Sequence, residues 1–213
     1  MKRIFLILIF TTTCVAVHAQ SIRGEIITGF NMTQVDGDEV VGYRKIGANL
    51  GVGAMLPLGQ SNWIISIETL FNQKGAYKKF PVEYDTLPYP YYNLRLNYAE
   101  VPLMIHYNDK DQMTFGAGFS YGRLVFLKEV EHGSQIDWTT ATGPYKRGDY
   151  NFLIDVRFRV IAGLHFNLRY AYSISKIRTR TFNNAATGTW TRDQFNNLLT
   201  FRLIYVFNEK IND

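Results

Sequence analysis

Apolar and polar or small residues alternate with a period of two along most of the chain, and this restricts the fold more than any other feature. In residues 44–56, "RKIGANLGVGAML", Ile46, Leu50 and Val52 share one face of an extended chain, and Lys45 and Asn49 share the other. Successive side chains of a β-strand point to opposite faces, so this period predicts a strand with one apolar face. The same pattern recurs in "IRGEIITGF", "WIISIETLF", "YAEVPLMIHY", "MTFGAGFSY", "FLIDVRFRV", "LHFNLRYAY" and "FNNLLTFRLIYVF". We count about eight strands of membrane-spanning length and no competing helical segment.

The connections between these segments alternate in length. Short ones fall near residues 57–62, 108–111 and 162–163, and long ones span roughly residues 33–43, 75–93, 128–149 and 176–193. Outer-membrane barrels have short periplasmic turns and long extracellular loops. The pattern therefore predicts an all-β fold: an eight-stranded antiparallel up-and-down transmembrane β-barrel with short periplasmic turns, long extracellular loops and both chain ends on the periplasmic side.

Residues 1–19, "MKRIFLILIFTTTCVAVHA", have the features of a secretory signal peptide. Two basic residues precede a short apolar run, and the small residues Val17 and Ala19 stand before the expected cut. The apolar run is too short to span a bilayer. A lipoprotein signal ending at Cys14 is the alternative, but the three threonines before it match that pattern poorly. We expect a signal peptide over residues 1–19 and a barrel domain over residues 20–213.

Composition adds two exclusions. The only cysteine lies in the predicted signal peptide, so the mature chain would form no internal disulfide. Cleavage would also remove two of the 23 Lys and Arg and leave all 18 Asp and Glu, which lowers the formal net charge from +5 to +3 (21 − 18). Such a mild excess gives no reason to expect a nucleic-acid partner.

Alternation alone does not decide which face meets lipid, because a soluble lipocalin-like barrel also alternates, with its apolar side inward. Three features favour a membrane barrel. The polar face mixes glycines with charges of both signs, aromatic residues lie near both ends of the strands, and the loops are of unequal length. We therefore expect an outer-membrane location with lipid against the apolar face. The charge network expected in the lumen comprises Glu25, Glu68, Glu100, Asp155, Arg157, Arg159, Arg169 and Arg202.

The segment "YAEVPLMIHY" contains two residues that strands usually exclude. Glu100 is acceptable if its face looks into a polar lumen, where an arginine can pair with it. Pro102 lacks an N–H, and a closed barrel has no edge strand to accommodate it. We predict a bulge or an interrupted ladder at Pro102.

The strand "LNYAEVPLMIHY" resembles the Leu-x-Tyr-x-Glu-x-Pro-Leu strand of the PorT-like outer-membrane β-barrel proteins of Gram-negative bacteria. The segments "FGAGFSYG", "LHFNLRYAYSI" and "LLTFRLIYVF" are also similar, so that the likeness runs from about residue 22 to residue 207. It implies a barrel in the outer membrane and, for the named family member, accessory work in gliding-type (type IX) protein secretion. One departure is "NEKIND" after Phe207, because barrel proteins often end at the aromatic residue.

The sequence favours neither catalysis nor metal or cofactor binding. No strand brings a serine, a histidine and a carboxylate onto one outward patch, and the mature chain has scattered histidines and no cysteine. "GAGFSYG" lacks the spacing of a phosphate-binding loop, and its glycines are better explained as keeping the lumen roomy. The charged face has two interpretations, a structural ion-pair plug and a gated ion path. The narrow interior of an eight-stranded barrel favours the plug.

The long loops are the best candidates for contact with a protein or glycan partner. Residues 77–93, "YKKFPVEYDTLPYPYYN", combine three prolines with six Tyr or Phe, which suits a stiffened recognition loop. A plainer explanation is that these residues only extend the rim. The candidate contacts are Tyr84, Tyr89, Tyr91, Tyr92, Phe182 and Trp190. We predict a monomeric, non-enzymatic barrel with a structural or interaction role; a narrow, porin-like ion channel and a lipid-modifying enzyme are the alternatives.

Overall fold

The computed structural model describes residues 22–79, 91–109, 112–184 and 188–209. Among these residues, no helix is both long and apolar enough to cross a membrane. The predicted signal peptide lies outside the described residues. The described chain forms ten β-strands: β1 (Arg23–Asp36), β2 (Lys45–Pro57), β3 (Trp63–Lys78), β4 (Tyr92–Asp109), β5 (Met113–Glu131), β6 (Ser134–Ile136), β7 (Gly148–Ile161), β8 (Leu164–Ser173), β9 (Arg178–Asn184) and β10 (Gly188–Val206).

Eight of these strands close into an antiparallel ring. The order around the ring is β1, β2, β3, β4, β5, β7, β8 and β10, and β10 pairs back with β1 from Val206 opposite Glu25 to Phe195 opposite Asp36. The two short strands lie off the ring, since β6 pairs with β5 and β9 pairs with β10. The predicted eight-stranded up-and-down barrel is therefore confirmed.

Short turns mark one end of the barrel, which we call the periplasmic end. Residues 162–163 form the turn between β7 and β8, and Gly163 adopts a φ of 77°, a left-handed conformation that favours glycine. Strand β1 begins and β10 ends here, where the N–H of Phe207 donates to the carbonyl of Gly24 at 2.9 Å. Both ends of the described barrel thus lie on the short-turn side, as predicted.

The longer connections lie at the opposite, extracellular end, but the strands there extend farther than predicted. Strands β1, β3, β4 and β5 run on into the segments expected to be loops, and residues 178–184 and 188–194 pair as the β9–β10 hairpin. The expected bounds of the loops were too wide because the prediction assumed strands only as long as the membrane is thick. We call this continuation of the sheet beyond the membrane the extracellular extension.

The two faces of the barrel have the chemistry that the alternation predicts. Large apolar side chains point outward, with Leu103 58% and Phe119 61% exposed. Charged and amide side chains point inward and are buried. Aromatic pairs lie outside near both ends, for example Trp63 with Tyr107 at 5.1 Å between ring centroids. This arrangement suits hydrocarbon outside and a polar interior.

The ladder between β3 and β4 is interrupted at Pro102. Ile67 pairs with Leu103 and Leu70 with Glu100, but the residues between them form no pairs, and the register is unchanged across the gap. The missing N–H of proline accounts for this gap, so the predicted interruption is confirmed. The bulge lies elsewhere, between β4 and β5, where Val125 is the extra residue opposite Asn97 and Tyr98.

Candidate functional site

Six of the predicted lumen charges meet in the middle of the barrel. We call them the central cluster, and they come from five strands: Glu25, Glu68, Asp155, Arg157, Arg169 and Arg202. Glu68 is its hub. Its carboxylate accepts two hydrogen bonds from Arg169, at 2.8 and 2.9 Å, one from Arg202 at 2.8 Å and one from Arg157 at 3.3 Å.

The remaining two acids complete the charge balance. Asp155 accepts hydrogen bonds from Arg169 at 2.7 and 3.0 Å, and Glu25 is paired with Arg157. All six side chains are buried, and three carboxylates face three guanidinium groups. A buried charge is tolerated only when a partner compensates it. The six residues therefore depend on one another, and removing any one of them leaves an uncompensated charge.

A serine, a histidine and an aspartate also meet in this region, which sequence reasoning missed because it searched only the outward face. Ser66 Oγ lies 2.8 Å from His106 Nε2, and His106 Nδ1 lies 3.6 Å from Asp155 Oδ1. The second distance is too long for a hydrogen bond. Gly116 makes room for this contact, since a Cβ there would clash with both His106 and Asp155. The predicted role of this glycine, to keep the lumen roomy, agrees with that geometry.

A second buried charge group, the Lys74 cluster, lies above the central cluster. Lys74 Nζ contacts Glu100 Oε2 and Asp149 Oδ2, each at 2.9 Å. Glu100 therefore pairs with a lysine and not with the expected arginine. Lys74 and Asp149 were missed because both were assigned to loops or loop edges, although each continues the inward-facing parity of its strand. Ser120 donates to the other Glu100 oxygen at 2.7 Å.

Arg159 does not join either cluster. It lies at the periplasmic end, where its guanidinium is 3.2 Å from Glu209, a residue of the segment after β10. His165 Nε2 and the N–H of Gly163 also contact Glu209, each at 2.9 Å. Burial raises the pKa of Glu209, but the hydrogen bond and charge of His165 and the charge of Arg159 outweigh it, so the pKa falls from 4.5 to about 2. The tail thus closes the periplasmic end with an ion pair.

An apolar cluster closes the interior at the extracellular end. Tyr92, one of the predicted contact residues, is 3% exposed and belongs to this cluster. Its side chain faces inward because β4 begins at Tyr92 and continues the strand parity, so it is not available to a partner. The cluster consists of Val35, Ala76, Tyr92, Leu94, Leu96, Tyr98, Leu124, Leu127, Tyr145 and Ile177.

A cavity of about 450 Å³ opens above this cluster, between all four extracellular connections. Phe182 and Trp190 stack beside it with ring centroids 5.8 Å apart, and Trp190 Nε1 donates to Glu39 at 3.0 Å. Tyr91 also lines the cavity and packs edge-on against His132, with ring centroids 4.9 Å apart. Of the six predicted contact residues, these three therefore lie together at the surface. Tyr84 and Tyr89 lie outside the described residues.

Asp38 in the cavity wall is the most unusual charged group of the extension. Oδ1 accepts the N–H of Val40 at 2.8 Å, whereas Oδ2 is buried and has no hydrogen-bond partner among the described residues. Burial raises the pKa of Asp38 from 3.8 to about 7. Glu129, farther inside, contacts Arg178 at 3.2 Å. Across the part of the chain that the structure describes, no group of His, Cys, Asp and Glu is arranged to hold a metal ion.

Comparison with known proteins agrees with this architecture. A family model described as "Outer membrane protein beta-barrel domain" matches residues 18–178, more than half of the chain. The chain belongs to this family. Membership places the protein in the outer membrane, where the apolar wall meets lipid and the charged clusters lie inside.

Solved structures of small outer-membrane barrels have a similar fold. Ail, the attachment invasion locus protein of Yersinia pestis, has a TM-score of 0.50 and 13% identity, with 87% of this chain and 98% of that chain covered. Neisserial surface protein A has a TM-score of 0.45 and 9% identity, covering 86% and 95%. A major outer membrane protein from Thermus thermophilus has a TM-score of 0.46 and 11% identity, covering 88% and 100%. Such likeness concerns the fold alone. No curated protein sequence compared with the chain matches it.

Proposed function

We propose that this protein is a closed, non-catalytic outer-membrane barrel that binds a protein partner through its extracellular extension. The observation that carries the proposal is the filled interior. From the periplasmic end upward, the Glu209 ion pair, the central cluster, the Lys74 cluster and the apolar cluster occupy successive levels of the lumen. An eight-stranded barrel has an interior just wide enough for such side chains, so we expect no continuous water path through it.

The extension supplies what a recognition surface needs. Phe182 and Trp190 are aromatic side chains presented on a hairpin, and charged residues surround the cavity beside them. Aromatic residues and arginine are enriched where protein partners bind. The PorT-like resemblance makes accessory work in protein secretion one version of this role, with a component of the secretion apparatus as the partner.

A narrow ion channel is the second candidate, because the lumen is lined with charges of both signs, as in selective pores. In its favour, charges reach the periplasmic mouth at Arg159. Against it, each arginine of the central cluster is bound to a carboxylate, and a cluster of mostly apolar side chains lies above the two charge clusters. Ion conduction would require the central cluster and the apolar cluster to rearrange.

The lipid-modifying enzyme is less well supported. Ser66 is 1% exposed and faces the lumen, where lipid does not reach it. Asp155, which would have to orient His106, is bound to Arg169 instead. A nucleophile needs a base oriented by a third group and access to substrate.

Planar-bilayer recordings test the closed interior. We expect no reproducible conductance steps from the purified, folded protein, and none from Arg159→Ala, which leaves the two inner clusters intact. Steps in the native protein that change in size or ion selectivity with Glu100→Ala or Arg157→Ala would refute the closed barrel and establish the channel.

Site-specific photo-crosslinking in intact cells tests the partner. A photoreactive amino acid in place of Trp190 should give a discrete crosslinked protein band. The same amino acid in place of Trp63, an outward tryptophan near the periplasmic end, is the matched control and should give none. Equal bands from both positions, or none from Trp190, would refute recognition through the extension.

A further inference from the structure

The outer wall of the barrel changes character along β4 and β5. Near the middle of the strands, Leu103 lies opposite Phe119, and both point into the membrane region. One step closer to the extracellular end, Tyr121 lies opposite Tyr150 of β7 with ring centroids 5.0 Å apart. Tyrosines at this level mark the boundary between hydrocarbon and headgroups. Outward side chains beyond these tyrosines on the same wall therefore face the lipid headgroups.

Three basic side chains lie beyond the tyrosines. Arg123 lies opposite Ala99, and farther out Arg95 lies directly opposite Lys128. All three are exposed on the outer wall. Arg95 is four residues along β4 from Ala99, so Arg123 and Arg95 are about 13 Å apart along the strands at about 3.3 Å per residue. We call Arg95, Arg123 and Lys128 the basic strip.

The basic strip has no charge partner in the part of the chain that the structure describes. Within residues 22–79, 91–109, 112–184 and 188–209, the side chains of the three residues make no ion pair or hydrogen bond. The acids closest in sequence are engaged elsewhere: Glu100 binds Lys74 and Glu129 binds Arg178 inside the barrel. Like charges directly opposite one another in a ladder are unfavourable, so Arg95 and Lys128 together favour a shared anion.

Another part of the extracellular rim provides a contrast. There Lys176 is also partly exposed, but its Nζ lies 3.1 Å from Asp193. Among the described residues, the lack of an acidic partner is therefore not shared by every cation of the extracellular end. Lys176 is a natural control, because it is an exposed cation of the same extracellular end whose charge is already neutralised.

We propose that the basic strip binds the phosphate groups of an anionic glycolipid in the outer leaflet of the outer membrane. The strip faces outward at headgroup level, where a lipid phosphate is held next to it permanently and a soluble anion is not. Arginine matches phosphate with two parallel hydrogen bonds, and lysine adds a point charge. The separation between Arg123 and the Arg95–Lys128 pair suits a headgroup that carries two phosphates, one at each end of a sugar unit.

Binding of diphosphoryl lipid A to the folded protein in detergent micelles tests this inference, with native mass spectrometry used to follow a titration. The variant Arg95→Gln, Arg123→Gln, Lys128→Gln should bind about a hundredfold more weakly, since each cation near a lipid surface contributes roughly 1 kcal/mol. Monophosphoryl lipid A should bind the native protein more weakly than the diphosphoryl form. Lys176→Gln should bind like the native protein.

Three results would overturn the proposal. The triple variant binding as tightly as the native protein would show that the strip does not hold the lipid. An equal loss with Lys176→Gln would show that only the general charge of the rim matters. Displacement of the lipid by millimolar inorganic phosphate would identify a soluble anion as the ligand. All three side chains are exposed, so the substitutions should not disturb folding, and heat-dependent gel mobility checks this. If the triple variant does not fold, Arg123→Gln alone replaces it in the experiment. That single substitution should weaken lipid binding about fivefold.

Discussion

Replacing Glu68 with glutamine removes the carboxylate that contacts all three arginines of the central cluster. Glutamine has nearly the same shape, so the change tests charge and not packing. After the substitution, three guanidinium groups face only Glu25 and Asp155, and one positive charge is left without compensation. Glu68 and Arg202 are both fully buried, so water cannot replace the lost partner.

Breaking a buried ion pair by removing one partner costs about 3–5 kcal/mol, because it leaves an uncompensated charge. We expect Glu68→Gln to lower the free energy of unfolding by about that amount, measured by urea unfolding of the protein refolded into lipid vesicles and followed by tryptophan fluorescence. The midpoint should move to lower urea with little change in the slope, since the surface exposed on unfolding is unchanged.

Two controls separate charge from local disruption. The double variant Glu68→Gln, Arg202→Met restores the balance, so it should be more stable than the sum of the two single effects by about 1–3 kcal/mol. Asp193→Asn breaks the exposed ion pair with Lys176 and should leave the midpoint unchanged within error. A loss below about 1 kcal/mol for Glu68→Gln, or strict additivity in the double variant, would refute the view that charge balance holds the interior together.

Three further predictions concern other groups. The folded pKa of Glu209 is depressed, so its stabilising contribution is complete above pH 4.5 and is lost as the pH falls toward 2; hydrogen exchange of residues 207–209 should accelerate over that range, and Glu209→Gln should abolish the dependence. The folded pKa of Asp38 is raised to about 7, so its contribution is complete below pH 3.8 and is lost as the pH rises through 7; Asp38→Asn should slow proteolysis between β1 and β2 at pH 8 and have no effect at pH 3.5. Gly116→Ala should lower the free energy of unfolding by about 1–3 kcal/mol, because a Cβ collides with His106 and Asp155; urea unfolding at the native level of stability would contradict this.

The fold could be predicted from the sequence because, in a membrane barrel, the position of a residue along its strand decides whether it faces the lipid or the lumen. A residue two positions along a strand returns to the same face, so Glu68 and Asp155 could be assigned to the interior without knowing which strands are neighbours. The same argument placed Leu103 and Phe119 outside. Pro102 could be flagged because a closed ring of strands leaves a missing N–H only a few acceptable positions.

Pairing within the interior could not be predicted, because it depends on register between strands that are far apart in sequence. Arg157 pairs with Glu25, which is 132 residues away in the sequence. Arg159 is only two residues farther along β7, but it lies at the periplasmic end and pairs with Glu209. The bulge at Val125 adds a second obstacle. It shifts the alternation of β5 by one residue. Simple alternation from the outward Tyr121 would place Lys128 inside and Glu129 outside, whereas in the structure Lys128 is outside and Glu129 is inside.

Compensated and uncompensated charges occupy different parts of the molecule. Inside the membrane-spanning part, each buried arginine and lysine of the two clusters has a carboxylate partner, because an isolated charge there would cost more than the fold can supply. Among the described residues, some charged groups depart from this rule, and the buried Asp38 carboxylate beside the cavity and the outward basic strip both lie at the extracellular end. Neither is needed to close the barrel. The charge of Asp38 is neutralised by a proton or a cationic ligand, and the charge of the basic strip is neutralised by an anionic ligand. Selection for stability alone would pair or remove them, so this end of the molecule is where binding is expected.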